Sequence, residues 1–277
     1  MCTIAFAWQA LADAPIAVAA NRDEALGRES LPPRVLDGER EIVAPQDAEA
    51  GGTWIGVTER GLFVAITNRW TADGPPDLPA ERSRGLLVRD ALGAPDATAA
   101  ADIVREQVAS HGYAGFNLLV ADAERAVYLE WDGALRVDDL DPGVHVIVNA
   151  GIGDADERAV RLRDALVERL TDDEPPTTDA GVDAPPAVDA AAGSGPSPAS
   201  GTDASRTTAA WLDDAASLLR DHEFEACIHR DEFGTRSSSL VSIDADGRAT
   251  YSFADGPPCE TEYDSVELSA SFLDRRG

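Results

Sequence analysis

Short β-rich segments joined by tight turns occupy both ends of the chain, and they restrict it to a mainly antiparallel architecture. TWIGVT and LFVAITN flank Glu59-Arg60-Gly61, which is a strong hairpin signal. TIAFAWQ and PIAVAANRDE, joined by Ala-Asp-Ala-Pro, predict another hairpin, whose second strand runs into a polar turn. Strands connected so closely pair antiparallel. A doubly wound parallel sheet is therefore disfavoured, and the chain contains no GxGxxG motif and no phosphate loop.

Helical patterns occupy the middle of the chain. SRGLLVRDALG begins with a Ser83 cap and stops at Gly93, and residues 97 to 109 carry an apolar stripe. Two more helices are predicted in DERAVRLRDALVERL and around AAWLDDAASLLRD. Further strands are predicted between and after these helix pairs, in GFNLLVAD, AVYLEW, ALRVDD, VHVIVNA, SSSLVSID, RATYSF and, at an edge, TEYDSVELS. This order predicts an α+β protein in which two sheets stack with helices outside.

Residues 172–205 differ from the rest of the chain in composition. They contain no aromatic and no basic residue, and they are rich in Asp, Pro, Ala, Gly and Ser. Such a segment buries too little apolar area to offset the entropy lost on ordering it. We therefore predict one domain over residues 1–277 that contains a disordered acidic insertion at 172–205.

The chain is strongly acidic, with a formal net charge of −28, and all 23 of its basic residues are arginine. This field repels nucleic-acid phosphates and anionic lipid head groups, so neither is expected as a partner. An excess of carboxylates suits a protein kept soluble in concentrated salt, which indicates a halophilic source. Because no signal-peptide pattern and no membrane-length apolar run is present, we expect a cytoplasmic location.

The cysteines and histidines show no metal-binding pattern along the sequence. The three cysteines are Cys2, Cys227 and Cys259, and no pair of them has the spacing of zinc ligands. The four histidines are scattered, and His145 lies in VHVIVN, where a strand is predicted. We therefore expect no metal site and no disulfide framework.

Cys2 directly follows the initiator methionine. Because cysteine is small, we expect removal of Met1, which leaves Cys2 with both a thiol and a free α-amine. These groups have reference pKa values of about 8.5 and about 8, so they can serve as nucleophile and base. The alternative is a small buried thiol that opens a strand.

Several short motifs occur in an order that resembles one family. MCTI, AANRDE, GGTWIGV, TNR, GFNLL, VNA and GTRSSS follow each other from Met1 to about Phe253. This pattern resembles the NRDE family, also called the transport and Golgi organisation protein 2 family. That family is similar to the N-terminal nucleophile hydrolases, particularly the cysteine branch with the choloylglycine hydrolases and penicillin V acylases. The resemblance implies a four-layer αββα sandwich with a catalytic cysteine at the mature N-terminus.

The resemblance also implies roles for individual residues. Cys2 would be the nucleophile, and Asp23 would orient its amine or thiol. Asn68 would contribute to an oxyanion hole, and Asn149 would be a second polar group near the nucleophile. Arg236 would hold the local field positive and lower the pKa of the thiol.

Three further residues are assigned to substrate binding, namely Asn21, Arg22 and Trp54. The hydrolases carry an active-site arginine directly before the asparagine, and Ala20 stands in that place here. The nearest arginine is Arg22, which we expect on a different face of the strand.

More than one class of function fits this pattern. An amidohydrolase or thioesterase would act on a small acyl substrate through an acyl-enzyme on Cys2, without a cofactor. Members of the family have been linked to haem trafficking and lipid homeostasis, which implies a carrier or chaperone for a hydrophobic ligand. Cys2 would then be a ligand of haem iron, bound without the covalent link that a CxxCH motif provides. A scaffold with a vestigial site is the third alternative.

Overall fold

The computed structural model describes residues 2–36, 40–171, 206–269 and 272. In these residues two antiparallel sheets stack face to face, and a pair of helices covers the outer face of each sheet. The layers therefore follow the order helix, sheet, sheet, helix. This arrangement confirms the α+β, four-layer αββα sandwich predicted from the sequence. The insertion predicted at 172–205 lies outside the described residues.

The secondary structure alternates between groups of strands and pairs of helices. In chain order the elements are β1 (Thr3–Trp8), β2 (Ile16–Ala25), β3 (Ser30–Leu36), β4 (Ile42–Asp47), β5 (Ile55–Thr58), β6 (Phe63–Asn68), α1 (Arg84–Leu92), α2 (Ala97–Ser110), β7 (Phe116–Ala121), β8 (Ala126–Trp131), β9 (Leu135–Asp139), β10 (Gly143–Val148), β11 (Gly151–Ile152), α3 (Glu157–Thr171), α4 (Thr208–Arg220), β12 (Phe233–Ile243), β13 (Ala249–Ala254) and β14 (Asp264–Ser265).

The two sheets differ in which parts of the chain supply their strands. The first sheet joins strands from the start, the middle and the end of the chain in the order β11-β10-β1-β2-β12-β13-β14. The second sheet follows the sequence, in the order β3-β4-β5-β6-β7-β8-β9. The start of β1 consequently lies beside the end of β10, with Thr3 opposite Val148. This pairing brings Cys2, the residue before β1, to one end of the sandwich, where strands of this sheet begin and end.

Alternation along the strands separates two hydrophobic layers. In β1 and β2, Phe6 and Val18 face the second sheet, whereas Ala5 and Ala19 face α3 and α4. The ring of Phe6 stacks on that of Phe63 in the opposite sheet, with centroids 6.5 Å apart. Because successive side chains of a strand point to opposite faces, two runs of small and apolar residues can fill both layers.

Local signals set the helix boundaries. The Ser83 side chain accepts a hydrogen bond from the Gly85 N–H at 3.2 Å, which confirms the predicted cap of α1. Asp96 caps α2 in the same way, through the Ala99 N–H at 2.8 Å. Within the described ranges, no helix has the length and apolarity needed to cross a membrane.

The predicted polar turn at residues 21–24 is wrong, because β2 continues through it to Ala25. The N-terminal part of β12 pairs with this segment and places Thr235 opposite Asp23. Arg236 was expected to precede a strand, but it lies inside β12, at a bulge between Thr235 and Ser237. A partner strand distant in sequence supplies the hydrogen bonds that make this polar stretch a strand.

The sequence analysis also did not predict β3 and β4. Pro32 and Pro33 interrupt the strand pattern of β3, and the register of β3 against β4 shifts between Leu31 and Arg34. β3 forms the edge of the second sheet, where a proline breaks few hydrogen bonds. Its partner β4 is well buried and therefore holds it in place.

The acidic composition predicts a strong dependence of stability on salt. Of the net charge of −28, seven negative charges lie in residues 172–205, which leaves −21 on the remainder. Repulsion among these charges weakens as the Debye length falls from about 10 Å in about 0.1 M salt to below 3 Å in molar salt. We expect thermal unfolding to occur at a clearly higher temperature in concentrated KCl. Equal melting temperatures across this salt range would contradict the halophilic interpretation.

Candidate active site

A cavity of about 370 Å³ opens at the end of the sandwich where Cys2 lies. Five of the eight residues selected from the sequence line it, namely Cys2, Arg22, Asp23, Trp54 and Asn68. The volume lies within the range of about 300–1,000 Å³ that is usual for small-molecule sites. The fold therefore gathers residues from β2, β6 and the chain start around one space that can hold a small ligand.

Cys2 lies directly before β1 and is half-buried. Its Sγ donates a hydrogen bond to the backbone carbonyl of Asp23 at 3.6 Å. Burial raises the pKa of the Cys2 thiol, the Asp23 carboxylate raises it further, and the Arg22 guanidinium opposes both effects. The predicted lowering of this pKa concerns the processed chain, in which Cys2 carries a free α-amine, and it stays a prediction.

Asp23 is the carboxylate that the sequence analysis predicts as the partner of Cys2. It is only 4% exposed, and the Thr235 hydroxyl donates to its Oδ1 at 2.6 Å. Burial raises the pKa of Asp23, while the Thr235 hydrogen bond and the Arg158 charge oppose that shift. Thr235 in turn accepts a hydrogen bond from the Ile228 N–H at 2.9 Å. Thr235, which the sequence analysis missed, therefore fixes the direction of this carboxylate.

Arg22 and Trp54 form one side of the cavity. The guanidinium carbon of Arg22 lies 4.1 Å from the centre of the Trp54 ring, a cation–π contact. Arg22 also pairs with Glu24 at 3.7 Å and with Asp47 at 3.6 Å. The expectation that Arg22 would leave the strand on a different face from Ala20 is wrong. Residues two apart in a continuous strand share a face, so Arg22 enters the cavity.

Three more arginines line the cavity, and the sequence analysis missed all of them. Arg28 donates to Asp47 at 2.7 Å, and Arg82 pairs with Asp90. Arg84 donates to the Gly115 carbonyl at 2.8 Å and forms no ion pair with a carboxylate within the part of the chain that the structure describes. Its charge is therefore available to a ligand. The sequence signal for two of these arginines was that Arg82 and Arg84 flank the predicted helix cap Ser83, in a chain whose charged residues are mostly acidic.

Asn68 and Asn149 meet, but only Asn68 reaches the cavity. No hydrogen bond of the Asn68 side chain is formed among the described residues, so its amide can donate to a ligand. The Asn149 side chain instead donates to the backbone carbonyl of Asn68 at 2.9 Å. The buried amide of Asn117 also donates to that carbonyl, at 3.3 Å. Asn149 and Asn117 thus hold the end of β6, and through it they position Asn68.

Besides Asn149, two of the predicted residues, Asn21 and Arg236, do not line this cavity. The Asn21 amide donates to the carbonyls of Leu219 and Ala226, both at 2.9 Å, so it ties β2 to the helix layer. Arg236 lines a separate cavity between the segment around Ile228 and the loop after β13. The four arginines that line the Cys2 cavity therefore take the place that the sequence analysis gave to Arg236.

Comparison with known proteins places the chain in a family. The family model described as Transport and Golgi organisation 2 matches residues 1–253. The chain belongs to this family. The Bos taurus "Transport and Golgi organization protein 2 homolog" is 28% identical to it over 262 residues, covering 84% of this chain and 84% of the relative. The Homo sapiens homolog is 26% identical over 252 residues with the same coverage.

The fold of this member of the Transport and Golgi organisation 2 family matches a solved hydrolase. The penicillin V acylase from Agrobacterium tumefaciens superposes with a TM-score of 0.56 at 11% identity, covering 100% of this chain and 89% of the acylase. At this identity the likeness shows the fold alone. The resemblance to the NRDE family, drawn from short motifs, is confirmed, and the resemblance to N-terminal nucleophile hydrolases is confirmed for the fold.

Proposed function

We propose that this protein is a cysteine hydrolase of the N-terminal nucleophile type, which cleaves an amide or a thioester through an acyl-enzyme on Cys2. The observation that carries the proposal is the meeting of Cys2, Asp23 and Asn68 around one cavity of ligand size. The shared fold with a penicillin V acylase supports the same class of chemistry. The unpaired charge of Arg84 favours an acyl substrate that carries a negatively charged group.

The base in this mechanism is the α-amine of Cys2, which exists only after Met1 has been removed. In the unprocessed chain the nitrogen of Cys2 belongs to a peptide bond and cannot accept a proton. Once free, the amine is attached to the same residue as the thiol, beside the Asp23 carboxylate. Asp23 then orients the amine, and the ammonium formed by proton transfer stabilises the thiolate.

The bond changes follow from these positions. The thiolate of Cys2 attacks the carbonyl carbon, and the carbonyl oxygen becomes an oxyanion that the Asn68 amide can stabilise. The ammonium gives its proton to the departing amine or thiol as the carbon–nitrogen or carbon–sulfur bond breaks. Water, deprotonated by the same amine, then cleaves the thioester to Cys2 and releases the acid.

Removal of Met1 is the first test of this mechanism. Because Cys2 is small, we expect the protein purified from its native host to lack Met1 and to begin with the cysteine. Intact-mass spectrometry measures this directly, and N-terminal peptide mapping serves as a control for other modifications. A native protein that retains Met1 on nearly every chain would rule out the α-amine as the base.

A carrier that binds a haem or lipid-like ligand without turnover is the competing proposal. Cys2 would then ligate iron or simply line the site, and no acyl-enzyme would form. The processed protein can be titrated with haem, and in parallel incubated with a panel of chromogenic amides and thioesters. A Soret shift lost in the Cys2→Ala variant, without product release from any substrate, would favour the carrier. Steady release of product together with a Cys2-linked acyl mass favours the hydrolase.

A further inference from the structure

A second cluster of reactive side chains lies on the loop after α4. This loop carries His222, Cys227 and His229, and the loop after β13 brings Cys259 to it. The Sγ atoms of Cys227 and Cys259 are 3.4 Å apart. The Nε2 atom of His229 lies 3.6 Å from the sulfur of Cys227 and 3.1 Å from that of Cys259. Two sulfurs and one nitrogen thus form a compact triangle.

His222 completes the group from the solvent side. The ligand atoms of His222, His229 and Cys259 all lie within 4.8 Å of one another. The rings of the two histidines are 5.3 Å apart. Cys227 is buried beneath them, whereas both histidines are exposed. His222 and His229 therefore lie on the solvent side of the two cysteines, and an ion can enter from that side.

The measured separations match those around a tetrahedral zinc ion. With Zn–S of about 2.3 Å and Zn–N of about 2.0–2.1 Å, tetrahedral geometry separates two sulfurs by about 3.8 Å and a sulfur from a nitrogen by about 3.5 Å. The three distances between Cys227, Cys259 and His229 fall within about 0.4 Å of these values. Small side-chain rotations are enough to place them around one ion.

The outer contacts of the histidines also suit ligation. The Nδ1–H of His222 donates to the backbone carbonyl of Cys227 at 3.2 Å, which leaves its Nε2 lone pair free. The Nδ1 of His229 faces the Glu260 carboxylate at 3.9 Å. A carbonyl or a carboxylate on the second ring nitrogen is the usual support for a metal-bound histidine, because it fixes the tautomer and the ring orientation.

We propose that His222, Cys227, His229 and Cys259 bind one zinc ion in a structural site. Two thiolates and two imidazoles make a closed tetrahedral set that suits Zn²⁺ better than the hard cations, which prefer oxygen ligands. On binding, the two thiols lose their protons to solvent, and the imidazoles coordinate through neutral nitrogens. The sequence analysis expected no metal site because it compared spacings along the chain, and Cys259 reaches the other three only through the fold.

The position of this zinc site connects it with the cavity at Cys2. Ile228 lies between two of the proposed ligands, and its N–H donates to Thr235, which in turn donates to Asp23. The neighbouring Ala226 carbonyl accepts the hydrogen bond of Asn21 from β2. An ion that fixes this loop therefore also fixes the partners of β2. We expect the metal to hold Asp23 in position although it lies outside the cavity.

The test uses the full chain purified under reducing conditions. We expect about one zinc per chain by elemental analysis, and after removal of zinc with a chelator, binding of one Co²⁺. Bound cobalt should show thiolate-to-cobalt charge transfer and the intense visible bands of a tetrahedral site. Bound metal should also protect Cys227 and Cys259 from alkylation while Cys2 remains reactive. Cobalt that binds with the weak spectrum of an octahedral, oxygen-ligated ion would overturn the proposal.

Matched variants separate ligation from general damage to the fold. Cys259→Ser and His229→Ala should weaken zinc binding by more than the roughly 10- to 100-fold that loss of an outer contact costs. Cys2→Ala and His111→Ala, which change a thiol and an exposed histidine outside the cluster, should bind zinc like the parent. Circular dichroism verifies that each variant is folded. Equal zinc affinity in all four variants, or a Cys227–Cys259 disulfide that persists in reductant and excludes metal, would show that the assignment is wrong.

Discussion

Replacing Cys2 by alanine is expected to abolish turnover and acyl-enzyme formation while leaving the protein folded. Alanine is also small, so Met1 should still be removed, and the new N-terminus keeps its amine beside Asp23. Only the sulfur is missing. Loss of the nucleophile from a set of catalytic residues lowers kcat by a factor on the order of 10⁶, which brings the rate close to that of the uncatalysed reaction. Product release from the chromogenic panel and intact mass after substrate incubation measure the two effects.

The control for this experiment is the unfolding temperature of the same variant. Cys2 is half-buried before the first residue of β1, and among the described residues its sulfur makes one weak hydrogen bond, to the Asp23 carbonyl. We therefore expect only a small change in melting temperature. Turnover that persists in a fully processed Cys2→Ala protein would mean that the reaction, if it occurs in this cavity, does not pass through an acyl-cysteine.

Replacing Asn68 by alanine is expected to lower kcat by about 10²–10³ and to change KM little. The Asn68 side chain lines the cavity with Cys2 and forms no hydrogen bond among the described residues, so it is free to donate to the oxyanion. Stabilisation confined to the transition state appears in kcat rather than in KM. Steady-state kinetics on a substrate found in the panel measure the two constants separately.

The contacts at Asn68 allow the loss of the amide to be separated from damage to the fold. Its backbone carbonyl accepts hydrogen bonds from the amides of Asn149 and Asn117, and the alanine variant keeps that carbonyl. The end of β6 should therefore stay in place, with an unchanged melting temperature. Thr71→Ala is the matched control, at an exposed position in the following loop whose hydroxyl donates to the Gly74 carbonyl at 2.9 Å. A rate loss that is equal in both variants would remove Asn68 from the proposed oxyanion hole.

The two predictions differ in what they depend on. The effect of Cys2→Ala depends on the nucleophile alone and holds for any oxyanion donor. The effect of Asn68→Ala depends on the geometry of one amide, and a normal rate in that variant would leave the role of Cys2 intact. Together they separate the chemistry of the proposed hydrolase from the details of its site.

Much of the layered architecture could be predicted from local signals in the sequence. Alternating apolar residues and the Glu59-Arg60-Gly61 turn specify a hairpin, because they act over a few residues. The Ser83 cap specifies where α1 begins for the same reason. Seven short motifs, from MCTI at the start of the chain to GTRSSS, together indicated the family. They also selected five of the residues that line the cavity.

Only the tertiary structure decided which polar side chains face which layer. The strand β2 extends through Asp23 because β12 pairs with it from more than two hundred positions away in the sequence, and a bulge at Arg236 shifts the register there. Such pairing depends on long-range backbone hydrogen bonds that no local pattern encodes. For this reason Arg22 lies in the Cys2 cavity, whereas Asn21 and Arg236 do not.

The meeting of Cys227, His229 and Cys259 has the same origin. Each of these residues is ordinary in its own segment, and their spacing along the chain matches no metal motif. The first sheet brings the loop after β13 next to the loop before β12, because these strands pair side by side. The sequence by itself therefore determined the layers and the chemical groups. The pairing of distant strands determined which of those groups meet, since a side chain's direction and neighbours follow from register and not from sequence spacing.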